Sequence, residues 1–121
     1  MHVARSGRSD IVDLLIDLGA RPNFRGDGGA SALTIAAEHG RLTIIEVLLA
    51  RGADVNIRND YGNTALMHAA GYGHADVAAV LMKAGADVTA KDRNGELALT
   101  ISRRTEHAEI AEVLKAGGAK E

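Results

Sequence analysis

The chain has 121 residues, 46% of them hydrophobic, and a formal net charge of -2, which leaves room for one domain and is too apolar for a disordered acidic tail. It contains no cysteine, which excludes disulfide scaffolds and thiolate metal sites, and its mildly acidic balance argues against a general nucleic-acid-binding protein. No stretch approaches the roughly 20 apolar residues that a membrane helix needs, and the N-terminal MHVARSGR lacks the apolar segment of a signal peptide.

Glycine is abundant, with 14 residues, whereas aromatic residues make up only 2% of the chain. A core of this length usually depends on aromatic side chains for buried area. The explanation is an internal repeat, because ten of the 14 glycines recur every 33 residues without an insertion or deletion. The three series are Gly7, Gly40 and Gly73; Gly19, Gly52, Gly85 and Gly118; and Gly29, Gly62 and Gly95. Aliphatic residues follow the same spacing, for example Leu15, Leu48, Leu81 and Leu114.

One period, 60–92, shows the predicted elements in chain order. It begins with the turn residues Tyr61-Gly62-Asn63, and Thr64 can cap the helix that follows. Leu66, Ala69 and Ala70 share one face of this first helix by their i, i+3, i+4 spacing. Gly73 permits the left-handed residue that ends it.

A second helix is predicted over 75–83, after a short loop. Its apolar stripe comprises Val77, Val80, Leu81 and Ala84, and Gly85 stands where the glycine that ends the helix belongs. The stretch 86–90 is predicted to be extended and to lead to the next turn. A unit of this size cannot bury its apolar face alone, so neighbouring units must stack.

The segments GNTALMHAAGYGHADVAAVLMKAGADVTAKD (62–92) and GASALTIAAEHGRLTIIEVLLARGADVNIRN (29–59) resemble ankyrin repeats. That family's pattern is roughly D-x-x-G-x-T-P-L-H-x-A-A-x-x-G-H, a second helix and then G-A-D-V-N. The resemblance covers nearly the whole chain and implies an all-α ankyrin-repeat solenoid of helix-loop-helix units with β-hairpin turns. We expect a single domain, 1–121, of about three and a half repeats. Its units are a partial N-terminal repeat (1–25), two full repeats (26–58 and 59–91) and a C-terminal capping repeat (92–121).

The chain departs from the family pattern in the turn motif. The proline of T-P-L-H is replaced by Ala32, Ala65 and Ala98, and its histidine by Thr34, Met67 and Thr100. In the family this histidine joins a hydrogen-bond network around the turns. Its loss should weaken the coupling between hairpins by about 1 kcal/mol per site where the partner is buried.

The two ends of the chain depart as well. In the last unit Ser102-Arg103 replaces an Ala-Ala pair, and we expect both side chains to face water, as the outer face of a terminal repeat requires. Glu106 replaces the loop glycine there, which predicts strain or fraying. Met1 falls inside the first helix of the first unit, so the chain either begins with a truncated cap or is a piece of a longer protein.

Helical periodicity also indicates which residues face away from the stack. If Leu66, Ala69 and Ala70 are buried, His68, Gly71 and Tyr72 point elsewhere. By resemblance, such positions and the turn tips, among them Asn94 and Glu96, form the concave binding face of the solenoid. The predicted partner-binding residues are Glu38, His39, Asp60, Tyr61, Asn63, His68, Tyr72, Arg93 and Arg104.

Both tyrosines of the chain belong to this set. Tyrosine is a favoured interface anchor because it offers a large contact area with few torsions. Alternatively, Tyr61 packs on a neighbouring hairpin and Tyr72 covers helix ends. The surrounding charges are of mixed sign and predict a mild acidic-to-basic gradient across the groove.

The sequence offers little support for a chemical site. The five histidines show no i, i+4 pair of a helical zinc site, and His74 and His107, one period apart, are predicted to make loop hydrogen bonds. The segment 26–29 (GDGG) lacks the lysine of a phosphate-binding loop and does not follow a buried strand. No G-x-S-x-G motif and no plausible Ser, His and acid set occur. We therefore expect no catalytic residues, no metal and no cofactor.

The resulting hypothesis is a non-catalytic protein–protein interaction module that binds a partner protein through its concave face and hairpin tips. We expect a cytoplasmic monomer that binds neither nucleic acid nor membranes. A structural spacer, or a terminal fragment of a longer multi-domain ankyrin protein, is the alternative. A small enzyme or metal-binding protein is the third hypothesis.

Overall fold

The computed structural model describes residues 27–118, which form three helical pairs. The helices are α1 (Ala32–Glu38), α2 (Leu42–Ala50), α3 (Ala65–Tyr72), α4 (Ala75–Lys83), α5 (Ala98–Arg104) and α6 (Ala108–Ala116), and a short 3-10 turn, Asp27–Gly29, precedes α1. The pairs stack in chain order, with α3 between α1 and α5 and with α4 between α2 and α6. The predicted all-α repeat fold is thereby confirmed. The expected partial repeat at 1–25 lies outside the described residues.

The connections between pairs are turns, and residues 27–118 contain no β-strand. Each turn tip is closed by a backbone hydrogen bond, from Asn59 to Asn63 (3.0 Å) and from Asp92 to Glu96 (3.0 Å). Consecutive tips are joined by single bonds, since the N–H of Asp60 donates to Gly28 (2.9 Å) and that of Arg93 to Tyr61 (3.1 Å). The tips therefore stay in register although they do not form the hairpin strands that the resemblance implied.

Local sequence accounts for the helix boundaries. The predicted second helix, 75–83, coincides with α4. Thr64 caps α3 as predicted, accepting a hydrogen bond from the backbone of Met67, and Ser31 and Thr34 form the corresponding capping box of α1. Helix α5 lacks such a cap, because Leu97 occupies the position of Ser31 and Thr64.

The core consists of small and aliphatic side chains. Ala36, Ala37, Ala69 and Ala70 are completely buried, and they allow α1, α3 and α5 to approach one another closely. Leucine, isoleucine and valine from the second helices complete the cluster, chiefly Ile44, Ile45, Leu48, Val77, Leu81, Ile110 and Leu114. None of the helices in residues 27–118 is long and apolar enough to span a membrane.

Two loop histidines connect each helical pair to the one before it. Nε2 of His74 lies 3.0 Å from the carbonyl oxygen of Glu38, and Nδ1 of His107 lies 3.0 Å from that of Ala70. A carbonyl oxygen only accepts, so the ring nitrogen donates in both bonds. Each ring rests on the loop glycine of the preceding pair, where an added Cβ would lie 2.7 Å from His74 at Gly40 and 2.8 Å from His107 at Gly73. The predicted loop hydrogen bonding is confirmed, and it joins neighbouring units.

The terminal unit differs from expectation at one residue. Arg103 is exposed, but Ser102 is completely buried, so the prediction that Ser102 faces water is wrong. The serine hydroxyl donates to the carbonyl oxygen of Leu99 (2.8 Å) within its own helix, and this bond removes the cost of burying it. Glu106 adopts a left-handed conformation with φ 63°, which confirms the predicted backbone strain.

Replacing His74 by alanine should destabilise the fold by about 1–2 kcal/mol, because a half-buried carbonyl at the end of α1 loses its donor. The matched control is His39→Ala, which removes an imidazole beside the same helix end but no inter-unit hydrogen bond, and about 0.5 kcal/mol is expected there. Urea unfolding followed by circular dichroism measures both changes. Equal losses in the two variants would contradict the role assigned to His74.

Replacing Leu97 by serine should stabilise the fold by about 1 kcal/mol, because the hydroxyl can cap α5 and pair with Thr100 as Ser31 does with Thr34. Leu97→Ala is the control, since it removes the same side chain without supplying a cap. Chemical denaturation of the two variants checks this. The cap interpretation requires the serine variant to be the more stable of the two.

Candidate functional site

The first helices of the three pairs present a row of polar and aromatic side chains. Glu38 is the last residue of α1 and His39 follows it, His68 and Tyr72 lie one helical turn apart at the end of α3, and Arg104 ends α5. Because the units repeat every 33 residues, Glu38, Gly71 and Arg104 occupy equivalent positions in three consecutive units. The row therefore runs across the stack, as the sequence predicts.

The middle of this row is a set of contacting side chains, Glu38, His39, His68 and Tyr72, which we call the central cluster. The carboxylate of Glu38 lies 3.2 Å from Nε2 of His39 and 3.9 Å from Nδ1 of His68. The rings of His68 and Tyr72 are stacked, with centroids 6.4 Å apart and planes inclined by 24°. Asn59, in the preceding turn, places its side-chain amide 3.5 Å from Nε2 of His68.

The imidazole of His68 is the electrostatically distinctive group of the central cluster. Its side chain is only 15% exposed, and this burial lowers the pKa of His68 below its ordinary value of 6.5, while the nearby Glu38 carboxylate partly opposes the shift. The imidazole is consequently neutral at neutral pH. It does not compensate the charge of Glu38 there.

A second region, which we call the tip groove, lies between α3, α5 and the turn before α5. It encloses about 280 Å³ and is lined by Asn63, Met67, His68, Tyr72, Asp92, Asn94, Glu96, Ile101 and Arg104. Arg104 and Glu96 form a two-pronged ion pair across it, with nitrogen–oxygen distances of 3.0 and 3.1 Å. The groove thus brings together four predicted binding residues, Asn63, His68, Tyr72 and Arg104. The basic end of the predicted gradient is compensated within the chain by Glu96.

The remaining predicted residues lie at the turn tips. Asp60 and Arg93 line a shallow cavity of about 290 Å³ together with Arg58, Asn59, Gly62, Lys91 and Asp92. Tyr61 stands beside it on the tip and is 65% exposed. The tip is held by Asn59, whose side-chain oxygen accepts hydrogen bonds from the backbone of Tyr61 (2.9 Å) and Asn63 (3.0 Å).

The two tyrosines are the only large apolar side chains that residues 27–118 leave exposed, and Tyr72 is 57% exposed. Tyr72 contacts His68 through one ring face, yet more than half of its surface is accessible. Neither tyrosine belongs to the core. Their exposure favours the interpretation of the two side chains as contact points.

The sequence analysis did not include two residues that organise this face, Asn59 and Asp92. They are one period apart and have the same local role, since the side-chain oxygen of Asp92 accepts from the backbone of Asn94 (2.8 Å) and Glu96 (2.9 Å). Their recurrence at one position of consecutive units was the available signal. Within residues 27–118 no group of three His, Asp or Glu side chains is arranged to hold a metal ion.

Comparison with known proteins places this face in a family context. A family model described as ankyrin repeats (3 copies) matches residues 1–92 and 58–120. The search of curated proteins found no match.

The lowered pKa of His68 predicts that the fold loses stability as the solution is acidified. The unfolded chain takes up this proton near pH 6.5 and the folded chain only at lower pH, so the stabilisation is complete above pH 6.5 and is lost as the pH falls through the folded value. His68→Gln should reduce this dependence. Urea unfolding of both proteins at about pH 7.5 and about pH 5 tests it, and an unchanged difference between the two pH values in the variant would contradict it.

Proposed function

The chain belongs to the ankyrin-repeat family, and we propose that it is a non-catalytic module that binds a partner protein through the face formed by α1, α3, α5 and the turn tips. Ankyrin repeats are in general protein–protein interaction modules. The observation that supports this particular face is the exposure of Tyr61 and Tyr72 beside the tip groove.

The arrangement suits rigid docking. The two tips are joined by backbone hydrogen bonds and the central cluster lies on helices, so the contact residues are held before a partner arrives. Tyr61 and Tyr72 are the proposed anchors. The orienting contacts are Glu38, His39, Asp60, Asn63, His68, Arg93 and Arg104. An interface over two or three repeats can reach the standard size of about 800 Å² per partner.

We further propose that the chain acts as a monomer in the cytoplasm. The exposed large apolar side chains of residues 27–118 are two tyrosines, not the contiguous patch typical of an obligate dimer. A cysteine-free sequence is compatible with a reducing compartment.

Affinity capture from a lysate of the source organism, followed by mass spectrometry, tests the proposed face. The double variant Tyr61→Ala, Tyr72→Ala should lose the partners that the unaltered chain retains, by about tenfold or more, because truncated aromatic anchors typically dominate binding energy. The control is Glu46→Ala, Glu112→Ala, which changes two exposed residues of α2 and α6.

Circular dichroism establishes that both double variants remain folded. Partners that persist unchanged on the folded tyrosine variant would refute the anchor role. Partners lost only from the control would place the binding face on the second helices instead.

A further inference from the structure

Gly71 is a helical residue for which the fold shows no requirement. It lies inside α3 with ordinary helical φ, and an added Cβ would meet only one atom, Cγ2 of Ile101, at the ordinary contact distance of 3.4 Å. Alanine would therefore fit, and it would favour the helix. The equivalent residues of the neighbouring units are Glu38 and Arg104, both with long side chains. Glycine leaves a gap between them, in the middle of the row.

The gap is bordered by the exposed ring of Tyr72. His68, Gly71 and Tyr72 share one face of α3 by their i, i+3, i+4 spacing. His68 covers one part of the tyrosine ring, and another part lines the tip groove. An extended chain that crosses this gap can therefore place its side chains on both sides of Tyr72.

Carboxylates outnumber cationic groups on both sides of that ring. On the α1 side stands Glu38, whose contacts within residues 27–118 are the imidazoles of His39 and His68 and no Arg or Lys. On the other side Asp92 and Glu96 line the tip groove, where Arg104 is the one cationic side chain. Because the pKa of His68 is lowered, this imidazole adds no charge at neutral pH. Three carboxylates thus face one guanidinium.

We propose that the gap at Gly71 receives an extended basic peptide segment of the partner, with one Arg or Lys paired to Glu38 and a second in the tip groove beside Asp92 and Glu96. The backbone of the segment crosses Gly71, and the cationic side chains flank Tyr72, whose ring attracts them. This inference rests on the proposed function, because it assigns a chemical class to the partner of the same face.

The geometry also sets the spacing of the two cationic residues. Packed helices lie roughly 8–10 Å apart, and an extended chain advances about 3.3 Å per residue. The two basic residues should therefore be two or three positions apart. An acidic segment is disfavoured, because it would place like charges against Glu38, Asp92 and Glu96.

A random dodecapeptide library displayed on phage, selected on the intact chain, provides the probe. Fluorescein-labelled copies of the selected peptides are then titrated against the protein by fluorescence anisotropy. We expect the peptides to share two Arg or Lys residues at the stated spacing, and to bind more weakly as salt is added. Glu38→Gln should weaken binding about tenfold, since a charge-assisted hydrogen bond is lost, whereas the matched Glu46→Gln, on α2, should leave it unchanged.

Substitutions at Gly71 separate the gap from the fold. Gly71→Ala should raise the midpoint of thermal unfolding and weaken peptide binding moderately, and Gly71→Leu should abolish it by filling the gap. Opposite effects on stability and binding are not expected from a residue with a merely structural role. Thermal unfolding of each variant establishes that it is folded, and Gly71→Ala gives the decisive comparison if the leucine variant is unstable.

The possible outcomes distinguish this inference from the proposed function. Selected peptides that need Tyr72 but carry acidic or apolar residues instead of basic ones overturn the basic class and leave the binding face in place. Peptides that bind Tyr61→Ala, Tyr72→Ala as well as the unaltered chain overturn both. Failure to select any peptide, or equal binding to Gly71→Leu when that variant is folded, overturns the inference alone.

Discussion

The bond between a loop imidazole and the carbonyl end of the preceding first helix is the interaction on which the rest of the structure depends. His74 and His107 each span the junction between two units, and each requires a glycine beneath its ring, Gly40 or Gly73. An insertion of one residue between the histidine and its helix would rotate the ring away from both. This requirement gives a physical reason for the strict spacing of 33 residues. It also shows where inter-unit coupling resides in a chain whose turn motif lacks the family histidine.

The same register creates the candidate site. Residues at equivalent positions of consecutive units are brought side by side, so a substitution in one unit appears as a feature of a continuous surface. The series Glu38, Gly71 and Arg104 becomes a carboxylate, a gap and a guanidinium in one row. The turn tips are aligned by their own bonds, from Asp60 to Gly28 and from Arg93 to Tyr61. Recognition in this fold is consequently written in differences between units, on a framework that their similarities maintain.

Local rules recovered much of this from sequence. The bounds of α4, the cap at Thr64 and the strained Glu106 follow from short-range geometry, which the spacing of residue types reveals. Ser102 did not, because its burial depends on a hydroxyl turning toward its own helix, a rotamer choice that composition does not encode. The pairing of Arg104 with Glu96 was missed for a similar reason. Residue types placed both side chains on the correct face, but only their conformations determine that they neutralise each other.

The scarcity of aromatic residues acquires a physical meaning from the packing. The first helices touch through completely buried alanines, such as Ala36, Ala37, Ala69 and Ala70, and a ring at any of these positions would force the units apart and break the imidazole bonds. Close packing therefore excludes large aromatic groups from the stack itself. A tyrosine can be accommodated only where the stack meets solvent, and there it contributes little to folding. The retention of Tyr61 and Tyr72 at such places is best explained by what they contact outside the chain.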